Sequence, residues 1–559
     1  MFLLIHVTWI VFYPVVPAVI LLLIALRWPQ FGLRWFCAAE RALGRVARRR
    51  GLSLVVVGLV ALLLSASMLL IRKPYPDAQD EFSYLLASDT FAHGRLTNPT
   101  HPLWMHFESY HIIHQPTYAS KYPPAQGLFL ALGQVLTGHP IVGVWLSTML
   151  ACAAVCWMLQ AWLPLRWALL GGLLLALHPL ILEWGQSYWG GAVAMGGGAL
   201  MLGSFRRMAT GLRARDGGLL GIGLAVLANS RPFEGAVLSL IVLAFLLSWM
   251  LKKDTPPLGV WLRRLALPML LVLIPTASAM AYYNLRVTGH PLRMPYMVHE
   301  ETYAVAPPFI WQSQRPEPAY RHPEMRRQSL GVALAPYKVQ RTLSGFLGAN
   351  CTKLLLLGKA CASLFAFLFP LGVLLHMRQS DDWMRRAGLI CLLFCSVLLF
   401  HTWFWPHYFA PIFGLVLVLL MQAMRLLRII RWRGRPIGRL IMRASVVLSL
   451  LSLINLALTL KHNEQTHWAW SAQRAQINSR LQQDAARHLI IVPSNMKRSE
   501  HEAWVYNEAD IDAAKIVWAH EMDEMRNRQL LRYFKDRQSW LLNLDTEPPT
   551  LMPYSLSAH

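Results

Sequence analysis

The chain has 559 residues, of which 55% are hydrophobic and only 15% are charged, and its formal net charge is +24. A soluble protein carries about 25% charged residues. Apolar runs of membrane-spanning length recur here from end to end, so the composition excludes an ordinary soluble domain and indicates a polytopic membrane protein. The positive charge lies in arginine clusters such as 27–50 and 425–443, beside apolar runs. This distribution indicates contact with anionic membrane lipids rather than binding of nucleic acid.

Twelve apolar segments are predicted to cross the membrane, and they are residues 2–26, 51–71, 140–162, 166–184, 189–205, 217–231, 235–251, 264–283, 352–377, 387–404, 408–424 and 444–460. The first is interpreted as a retained span, because it has neither a basic start nor an A-x-A cleavage site. With loop 27–50 in the cytoplasm, alternation places the later basic loops on the same side. We therefore expect both termini and the long loops 72–139 and 284–351 on the periplasmic face of a bacterial-type inner membrane.

The longest polar stretch, residues 74–127, opens with two adjacent carboxylates, Asp80 and Glu81, and closes on a Lys-Tyr-Pro-Pro turn. Connectors of this length are commonly functional or disordered, and its many aromatic residues favour a folded loop. The spacing of apolar residues predicts a helix over 78–94, and an apolar segment too short to span predicts another over 124–138. We expect both helices to lie at the membrane surface.

After Leu460 the sequence becomes polar. Residues 488–492, 504–507 and 539–544 are predicted strands, and 512–537 is a predicted helix. These elements indicate a small α/β domain outside the membrane. The chain then divides into an N-terminal span with its basic loop (1–50), a membrane module (51–460) and a C-terminal extracytoplasmic domain (461–559).

The order of these features resembles the GT-C superfamily of membrane glycosyltransferases, which includes protein O-mannosyltransferases and lipid A aminoarabinose transferases. An acidic pair opens the first long external loop, and two surface helices, a Lys-x-Pro-Pro turn and a bundle of spans follow. The resemblance rests on DEFSYLL (80–86), KYPPAQG (121–127), NLRVTGHPLRMPY (284–296) and WPHYFAP (405–411). It implies an α-helical GT-C-like bundle of about twelve transmembrane helices. It also implies inverting transfer of a sugar from a polyprenyl-phosphate donor to a hydroxyl of a lipid, polysaccharide or protein, outside the membrane.

By position, the resemblance makes Asp80 the catalytic base. The leaving group is already a phosphate, so the chemistry needs a carboxylate to deprotonate the acceptor hydroxyl and cations to offset phosphate charge. Glu81 is a candidate for direct participation, although both acids could simply complement a helix dipole. Relatives often have a second acidic residue in the next external loop. Glu183 is the nearest match in this sequence, but it stands at the end of a predicted span rather than in the middle of the loop.

Four residues are candidate ligands for the phosphate of the donor lipid: Lys121, Arg231, His407 and Tyr408. Lys121 could instead be a snorkelling interface lysine. Arg231 could pair structurally with Glu234, and the His407-Tyr408 pair could be ordinary interfacial packing.

Six residues are candidates for contact with the sugar or substrate: Tyr84, His106, Glu108, Tyr118, Tyr188 and Trp189. The sequence establishes no cofactor. A divalent metal is left open, with His106, Glu108 and His114 as ligands if the loop folds them together, since none of the loop histidines has the i, i+4 spacing of a helical zinc motif.

Two other classes of protein that act on lipid-linked saccharides are alternatives to a glycosyltransferase of this kind. A transporter or flippase tends to show internal repeats and polar residues at mid-membrane, neither of which this sequence has. An O-antigen polymerase or ligase usually places its large loop late in the chain and relies on arginines. The early carboxylate pair therefore favours a glycosyltransferase.

Overall fold

The computed structural model describes residues 32–76, 78–252, 255–362, 381–431, 433–466, 469–494 and 502–554, with the single positions 20, 23, 27, 28 and 30. This part of the chain is mostly α-helical. Its helices are α1 Leu33–Arg48, α2 Arg50–Ser67, α3 Gln79–Ala92, α4 Pro124–Thr137, α5 Pro140–Trp162, α6 Leu165–Ala176, α7 Pro179–Trp184, α8 Gly191–Met208, α9 Ala214–Ala228, α10 Pro232–Met250, α11 Leu258–Trp261, α12 Leu267–Thr288, α13 Pro295–Tyr303, α14 Pro323–Arg327, α15 Leu334–Gln340, α16 Leu343–Ala362, α17 Asp382–Leu398, α18 Ala410–Leu427, α19 Ile437–Thr466, α20 Ala469–Gln483 and α21 Glu524–Tyr533.

Six segments of the described chain are long and apolar enough to cross a membrane: Arg50–Leu70, Pro140–Trp162, Pro232–Met250, Leu258–Thr288, Pro406–Leu427 and Ile437–Leu458. Each overlaps a predicted span, so the chain is an integral membrane protein. Nearly all of predicted span 2–26 and residues 363–377 of span 352–377 lie outside the described residues.

The predicted span 166–184 is not one continuous helix, because the structure divides it between α6 and α7. His178 has extended backbone angles (φ −73°, ψ 128°), and Pro179 follows as the first residue of α7. A residue before proline is disfavoured in the helical region, which accounts for the break.

Helix α8 lies inside the helical bundle and packs against α5, α9 and α18. A Cβ atom added at Gly198 of α8 would lie 1.9 Å from the carbonyl oxygen of Pro411, so the two backbones are in direct contact there. Small residues allow such close approach in membranes, where helices associate by packing rather than by the hydrophobic effect.

The first long loop folds around α3 and α4, as the sequence predicts. Ala78 donates its backbone N–H to Glu81 Oε2 (3.1 Å), which closes the first turn of α3, and Gly94 with φ +69° follows its end. Pro124 occupies the first position of α4, and Gly138 with φ +78° ends it. Three short strands lie between the helices and form an antiparallel sheet in the order β1-β3-β2: β1 Asn98–Pro99, β2 Ile112–Ile113 and β3 Thr117–Ser120.

The C-terminal segment contains a four-stranded sheet of β4 His488–Val492, β5 Ile516–His520, β6 Gln538–Asn543 and β7 Thr550–Pro553. The strand order is β5-β4-β6-β7, with β4 parallel to both neighbours and β7 antiparallel to β6. Every residue of β4 is buried, as expected for a central parallel strand.

Two predicted C-terminal elements are wrong. Residues 504–507 form no strand, and residues 516–520, inside the predicted helix 512–537, form β5. The start of β5 is β-branched and aromatic, and burial beside β4 favours the extended backbone. The helix is confined to α21, which begins after Asp523, whose side chain accepts a hydrogen bond from the Arg526 N–H (3.0 Å).

This sheet shares a hydrophobic core with the first long loop. Phe82 of α3 stacks on Tyr506, with ring centroids 4.2 Å apart. Arg474 lies 5.2 Å above the Phe82 ring and donates hydrogen bonds to the carbonyl oxygens of Trp504 (3.0 Å) and Tyr506 (2.7 Å). The C-terminal segment therefore forms one wall of the region around the start of α3.

Candidate functional site

Asp80 lies in the first turn of α3 with its side chain 29% exposed. The Nε2 of His111 lies 2.9 Å from Asp80 Oδ1, and the hydroxyl of Tyr122 donates a hydrogen bond to the same oxygen. Among the described residues, no hydrogen bond reaches Oδ2. One carboxylate oxygen is thus fixed, and the other remains available to a substrate proton.

The β2–β3 hairpin holds His111 in place. Its backbone N–H donates to His299 Nε2 (3.1 Å), and its carbonyl oxygen accepts from Ser83 Oγ (2.6 Å) and the Lys121 N–H (3.2 Å). His111 has φ +65°, a left-handed conformation that non-glycine residues rarely adopt. The hydrogen bonds on both sides of its backbone stabilise this conformation, and it directs the imidazole toward Asp80.

One cation, Lys121, lies near this carboxylate, and a second, Arg231, lies near the tyrosines around it. Lys121 is buried, with Nζ 3.8 Å from Glu300 Oε1 and 5.1 Å from the centre of the Tyr296 ring. Arg231 precedes α10, and its guanidinium lies 5.0 Å from the centre of the Tyr408 ring and 3.9 Å from Glu234 Oε1. The arginine therefore makes the structural pair with Glu234 that the sequence left open, and its Nε has no hydrogen-bond partner among the described residues.

These neighbours set the charge state of the site. Burial raises the pKa of Asp80, but the charge and hydrogen bond of His111, the charge of Lys121 and the hydrogen bond from Tyr122 more than offset it and hold that pKa well below its usual range. Burial and the Lys121 charge lower the pKa of His111, so its imidazole is neutral near pH 7 and donates from Nε2. The Asp80 carboxylate is therefore ionised near pH 7.

Glu81 makes contacts of a different kind. It is 1% exposed, and besides the Ala78 bond its Oε1 accepts the backbone N–H of Tyr188 (2.7 Å). It thereby joins α3 to the segment after α7, and the geometry favours the helix-cap alternative. Glu183 is exposed at the end of α7, and the described contacts of Asp80 do not include it.

The candidate sugar contacts are divided between two places. Tyr84 stacks on Tyr122, with centroids 4.5 Å apart, and so belongs to the Asp80 site. Trp189 lies 5.0 Å from the His407 ring, which brings one sugar candidate and one phosphate candidate together. Tyr188 donates its hydroxyl to the Pro74 carbonyl (3.1 Å), whereas Tyr118 is buried toward the C-terminal segment and donates to the Asn507 carbonyl (3.0 Å).

The three candidate metal ligands have other partners. His106 Nδ1 lies 2.9 Å from the His520 carbonyl oxygen, and His114 Nε2 accepts the Ser109 N–H (3.2 Å). Glu108 Oε1 accepts from the Tyr303 hydroxyl (2.9 Å) and from Arg321 (3.1 Å). Within the described ranges, no three His, Cys, Asp or Glu side chains converge as metal ligands, so these residues do not fit a resident metal.

The sequence did not single out His111, His299 or Glu300 as site residues. Glu300 follows Tyr296 by four residues, so both project from the same face of α13 toward Lys121. That spacing, directly after NLRVTGHPLRMPY, is the signal that could have identified Glu300. His111 carries no such signal, because its placement depends on its left-handed backbone.

The described chain shares its fold with ArnT, so the expectation is confirmed at the level of the fold. ArnT from Cupriavidus metallidurans in the apo state superposes with a TM-score of 0.53 and 13% identity, over 88% of this chain and 93% of that one. The structure of the same protein bound to undecaprenyl phosphate superposes with a TM-score of 0.54 and 13% identity, over 90% of this chain and 95% of that one. The archaeal oligosaccharyltransferase AglB from Archaeoglobus fulgidus, in complex with an inhibitory peptide and a dolichol-phosphate, superposes with a TM-score of 0.45 and 11% identity. The match covers 88% of this chain and 69% of that one. No protein-family model and no curated protein sequence matches the chain.

Proposed function

We propose that this protein is a glycosyltransferase that moves a sugar from a polyprenyl-phosphate carrier to an acceptor hydroxyl. The observation that carries the proposal is a partly exposed Asp80 carboxylate with one unoccupied oxygen near buried Lys121. The Arg231 guanidinium lies close to Tyr84 and Tyr122, two tyrosines of the same site. A base next to cations is the arrangement that this reaction requires. The fold shared with ArnT, which has been observed with undecaprenyl phosphate, supports the choice of carrier.

In the proposed step, Asp80 Oδ2 accepts the proton of the acceptor hydroxyl as that oxygen attacks the anomeric carbon. The bond between the anomeric carbon and the phosphate oxygen breaks, and its electron pair leaves with the polyprenyl phosphate. Attack opposite the leaving group inverts the anomeric configuration. His111 and Tyr122 hold Oδ1, so the carboxylate does not rotate away during the transfer.

Lys121 and Arg231 would bind the phosphate and stabilise the charge that develops on it. Donor binding also changes the base. The phosphate charge offsets the positive field that lowers the pKa of Asp80, so the loaded site has a stronger base than the empty one. His407, Tyr408 and Trp189 lie on the Arg231 side and would contact the lipid or the sugar near its phosphate.

Three features that the sequence analysis expects are also part of this proposal. They are the total of about twelve spans, the division at residues 50 and 460, and the periplasmic position of the site and C-terminal segment. The arginine clusters at the opposite ends of the spans would bind anionic lipids. The acceptor is a glycan, lipid or protein.

The test is transfer of radiolabelled sugar from polyprenyl-phosphate donors in membranes that contain the full-length protein. We expect Asp80→Asn to lower transfer at least about 100-fold, the lower range for a general base. Glu301→Gln changes an exposed carboxylate paired with Arg293 and is the matched control. Full transfer by Asp80→Asn would remove the proposed base, and donor movement across liposomes without product would favour a transporter instead.

A further inference from the structure

Lys121 has a buried ammonium group at the boundary between the two long loops. The residue is 5% exposed, and its Nζ lies between two aromatic rings, 5.3 Å from the centre of the Tyr122 ring and 5.1 Å from the centre of the Tyr296 ring. The face of an aromatic ring attracts a cation, but the ring has no net charge. A buried ammonium therefore needs a carboxylate nearby if it is to stay protonated.

Glu300 provides such a carboxylate from the second long loop. Its side chain is 9% exposed, and its Oε1 lies 3.8 Å from Lys121 Nζ. At this distance the two groups form an ion pair without a direct hydrogen bond. The carboxylate thus compensates the charge of the ammonium and leaves its N–H donors available for a phosphate oxygen.

Backbone contacts hold this pair in place. The Lys121 N–H donates to the His111 carbonyl oxygen (3.2 Å), and the His111 N–H donates to His299 Nε2 (3.1 Å) on α13. On the other side, the Arg315 guanidinium donates to the Glu300 carbonyl oxygen (2.6 Å). These bonds join the loop of Lys121 to the helix of Glu300, so the distance between the two charges is set by the fold.

The charge states of the two side chains depend on each other. Burial raises the pKa of Glu300, but its neighbours, chiefly His299 and Lys121, more than offset this and lower that pKa to about 2. The carboxylate is therefore ionised. Burial lowers the pKa of Lys121, whereas the charges of Glu300 and Asp80 raise it. Glu300 thus opposes the tendency of the buried lysine to lose its proton.

Few other groups near the lysine carry charge. In the described part of the chain, the charged and titratable groups that face it are Asp80, His111, Tyr122, Tyr296, His299 and Glu300. Burial lowers the pKa of the two histidines and raises the pKa of the two tyrosines, so all four are uncharged near pH 7. Two carboxylates, those of Asp80 and Glu300, remain to support the charge of Lys121.

These two carboxylates differ during the proposed transfer. Asp80 accepts the proton of the acceptor hydroxyl and thereby loses its charge. Glu300 takes no part in that proton transfer and stays ionised while negative charge develops on the leaving phosphate. Lys121 must be protonated during this interval, and Glu300 is the carboxylate that can maintain its proton throughout.

We propose that Glu300 is a positioning residue that keeps Lys121 charged and available to the phosphate of the lipid donor. The inference rests on the proposed transfer reaction, in which Lys121 is a phosphate ligand. Without the Glu300 charge, the buried lysine would lose its proton at a lower pH. The guanidinium of Arg231 would then be the remaining cation of the proposed phosphate site.

The test is equilibrium binding of radiolabelled undecaprenyl phosphate to the full-length protein in detergent, measured between pH 5.5 and 10. Glu300→Gln keeps the size of the side chain and removes its charge. We expect the pH above which affinity falls to be about 1–3 pH units lower in this variant than in wild type, the range produced by one nearby opposite charge. At the acid end of the series Lys121 is protonated in both proteins, so the variant should bind no more weakly than wild type.

Two further variants separate charge from packing. Glu300→Asp keeps the charge and should return the pH dependence toward that of wild type, which a role in packing alone would not do. Glu301→Gln changes the exposed neighbouring carboxylate, which pairs with Arg293, and should follow wild type at every pH. A loss of affinity in Glu300→Gln that is equal at every pH and is not restored by Glu300→Asp would show a structural role and overturn the proposal.

Lys121→Gln distinguishes this inference from the reaction on which it rests. We expect this variant to bind the lipid more weakly than wild type. If it does so while Glu300→Gln follows wild type at every pH, the role of Glu300 is wrong and the proposed function stands. If Lys121→Gln binds like wild type, Lys121 is not a phosphate ligand, and both proposals lose that contact. Binding requires no sugar transfer, so these results are independent of the test of Asp80.

Discussion

The hydroxyl of Tyr122 donates its hydrogen bond to Oδ1 of Asp80, so the residue after the buried lysine orients the carboxylate at the start of α3. A hydrogen bond to a charged group contributes about 1.5–3 kcal/mol, which corresponds to roughly 10- to 100-fold in rate if it is lost in the transition state. We expect Tyr122→Phe to lower kcat by that factor with little change in donor KM. Tyr282→Phe, at an exposed tyrosine of α12, is the control. An unchanged kcat would mean that Tyr122 does not orient the base.

The charge of Lys121 lowers the pKa of Asp80. Lys121→Gln removes this charge, so the protonated form of Asp80 becomes more favourable and the pKa of its carboxyl group must rise. The acid limb of the kcat/KM profile, which reports the free enzyme, should therefore move to higher pH. Lys73→Gln, at an exposed lysine before α3, should leave the profile in place. An acid limb that moves to lower pH or stays fixed would contradict the electrostatic argument.

Arg231 has a buried Nε without a partner among the described residues and a guanidinium stacked on Tyr408. If it binds the lipid phosphate, Arg231→Gln should weaken undecaprenyl phosphate binding about tenfold, near 1.4 kcal/mol, the scale of one charged hydrogen bond. The matched control is Arg293→Gln, which removes an exposed arginine. Native mass spectrometry with titrated lipid would measure both, and equal affinities would exclude Arg231 as a ligand.

Gly198 and Gly196 lie two residues apart on α8 but differ in their surroundings. A Cβ at 198 would meet the Pro411 carbonyl oxygen at 1.9 Å, whereas one at 196 would lie an ordinary 3.5 Å from Ala151 Cα. We expect Gly198→Ala to destabilise the protein by about 1–3 kcal/mol, the cost of overpacking, and Gly196→Ala to be near neutral. Thermal unfolding in detergent would compare them, and equal midpoints would argue against the α8–α18 contact.

The C-terminal segment contacts both long loops through histidines. The His322 and His520 rings stack 4.1 Å apart, and burial lowers the pKa of His520 well below 6.5. A folded-state pKa below the unfolded value makes protonation favour unfolding, so this stability is complete above about pH 6.5 and falls as the pH drops.

Thermal midpoints measured between pH 7.5 and 5 should therefore fall for wild type, and less steeply for His520→Gln. His93→Gln, at an exposed histidine, should behave like wild type. Identical slopes for wild type and His520→Gln would show that this contact does not respond to acid.

The first-loop helices could be predicted from the sequence because their signals are local. Gly94, Pro124 and Gly138 mark helix ends through their own backbone preferences. Asp80 is likewise predicted from its position, and the structure places it near Lys121. Its role as a base stays a prediction.

The rest of the site depends on contacts that no local pattern encodes. The apolar run that forms β5 follows a polar stretch and precedes α21, and only its pairing with β4 decides its conformation. The partners of Glu81 are likewise tertiary, since Tyr188 is 107 positions away in sequence. Loop histidines look alike in sequence, yet among those that the structure describes only His111 contacts Asp80.

The Tyr506 hydroxyl lies 3.5 Å from the Gln79 carbonyl oxygen, although the two residues are 427 positions apart in the sequence. During synthesis the carboxylate at the start of α3 is made early, and the tyrosine that walls it off follows only after the membrane helices have been inserted. A ribosome-bound or truncated chain would hold the acid and its cations but not this wall. The wall beside Asp80 is therefore complete only when the C-terminal segment has folded against the first long loop.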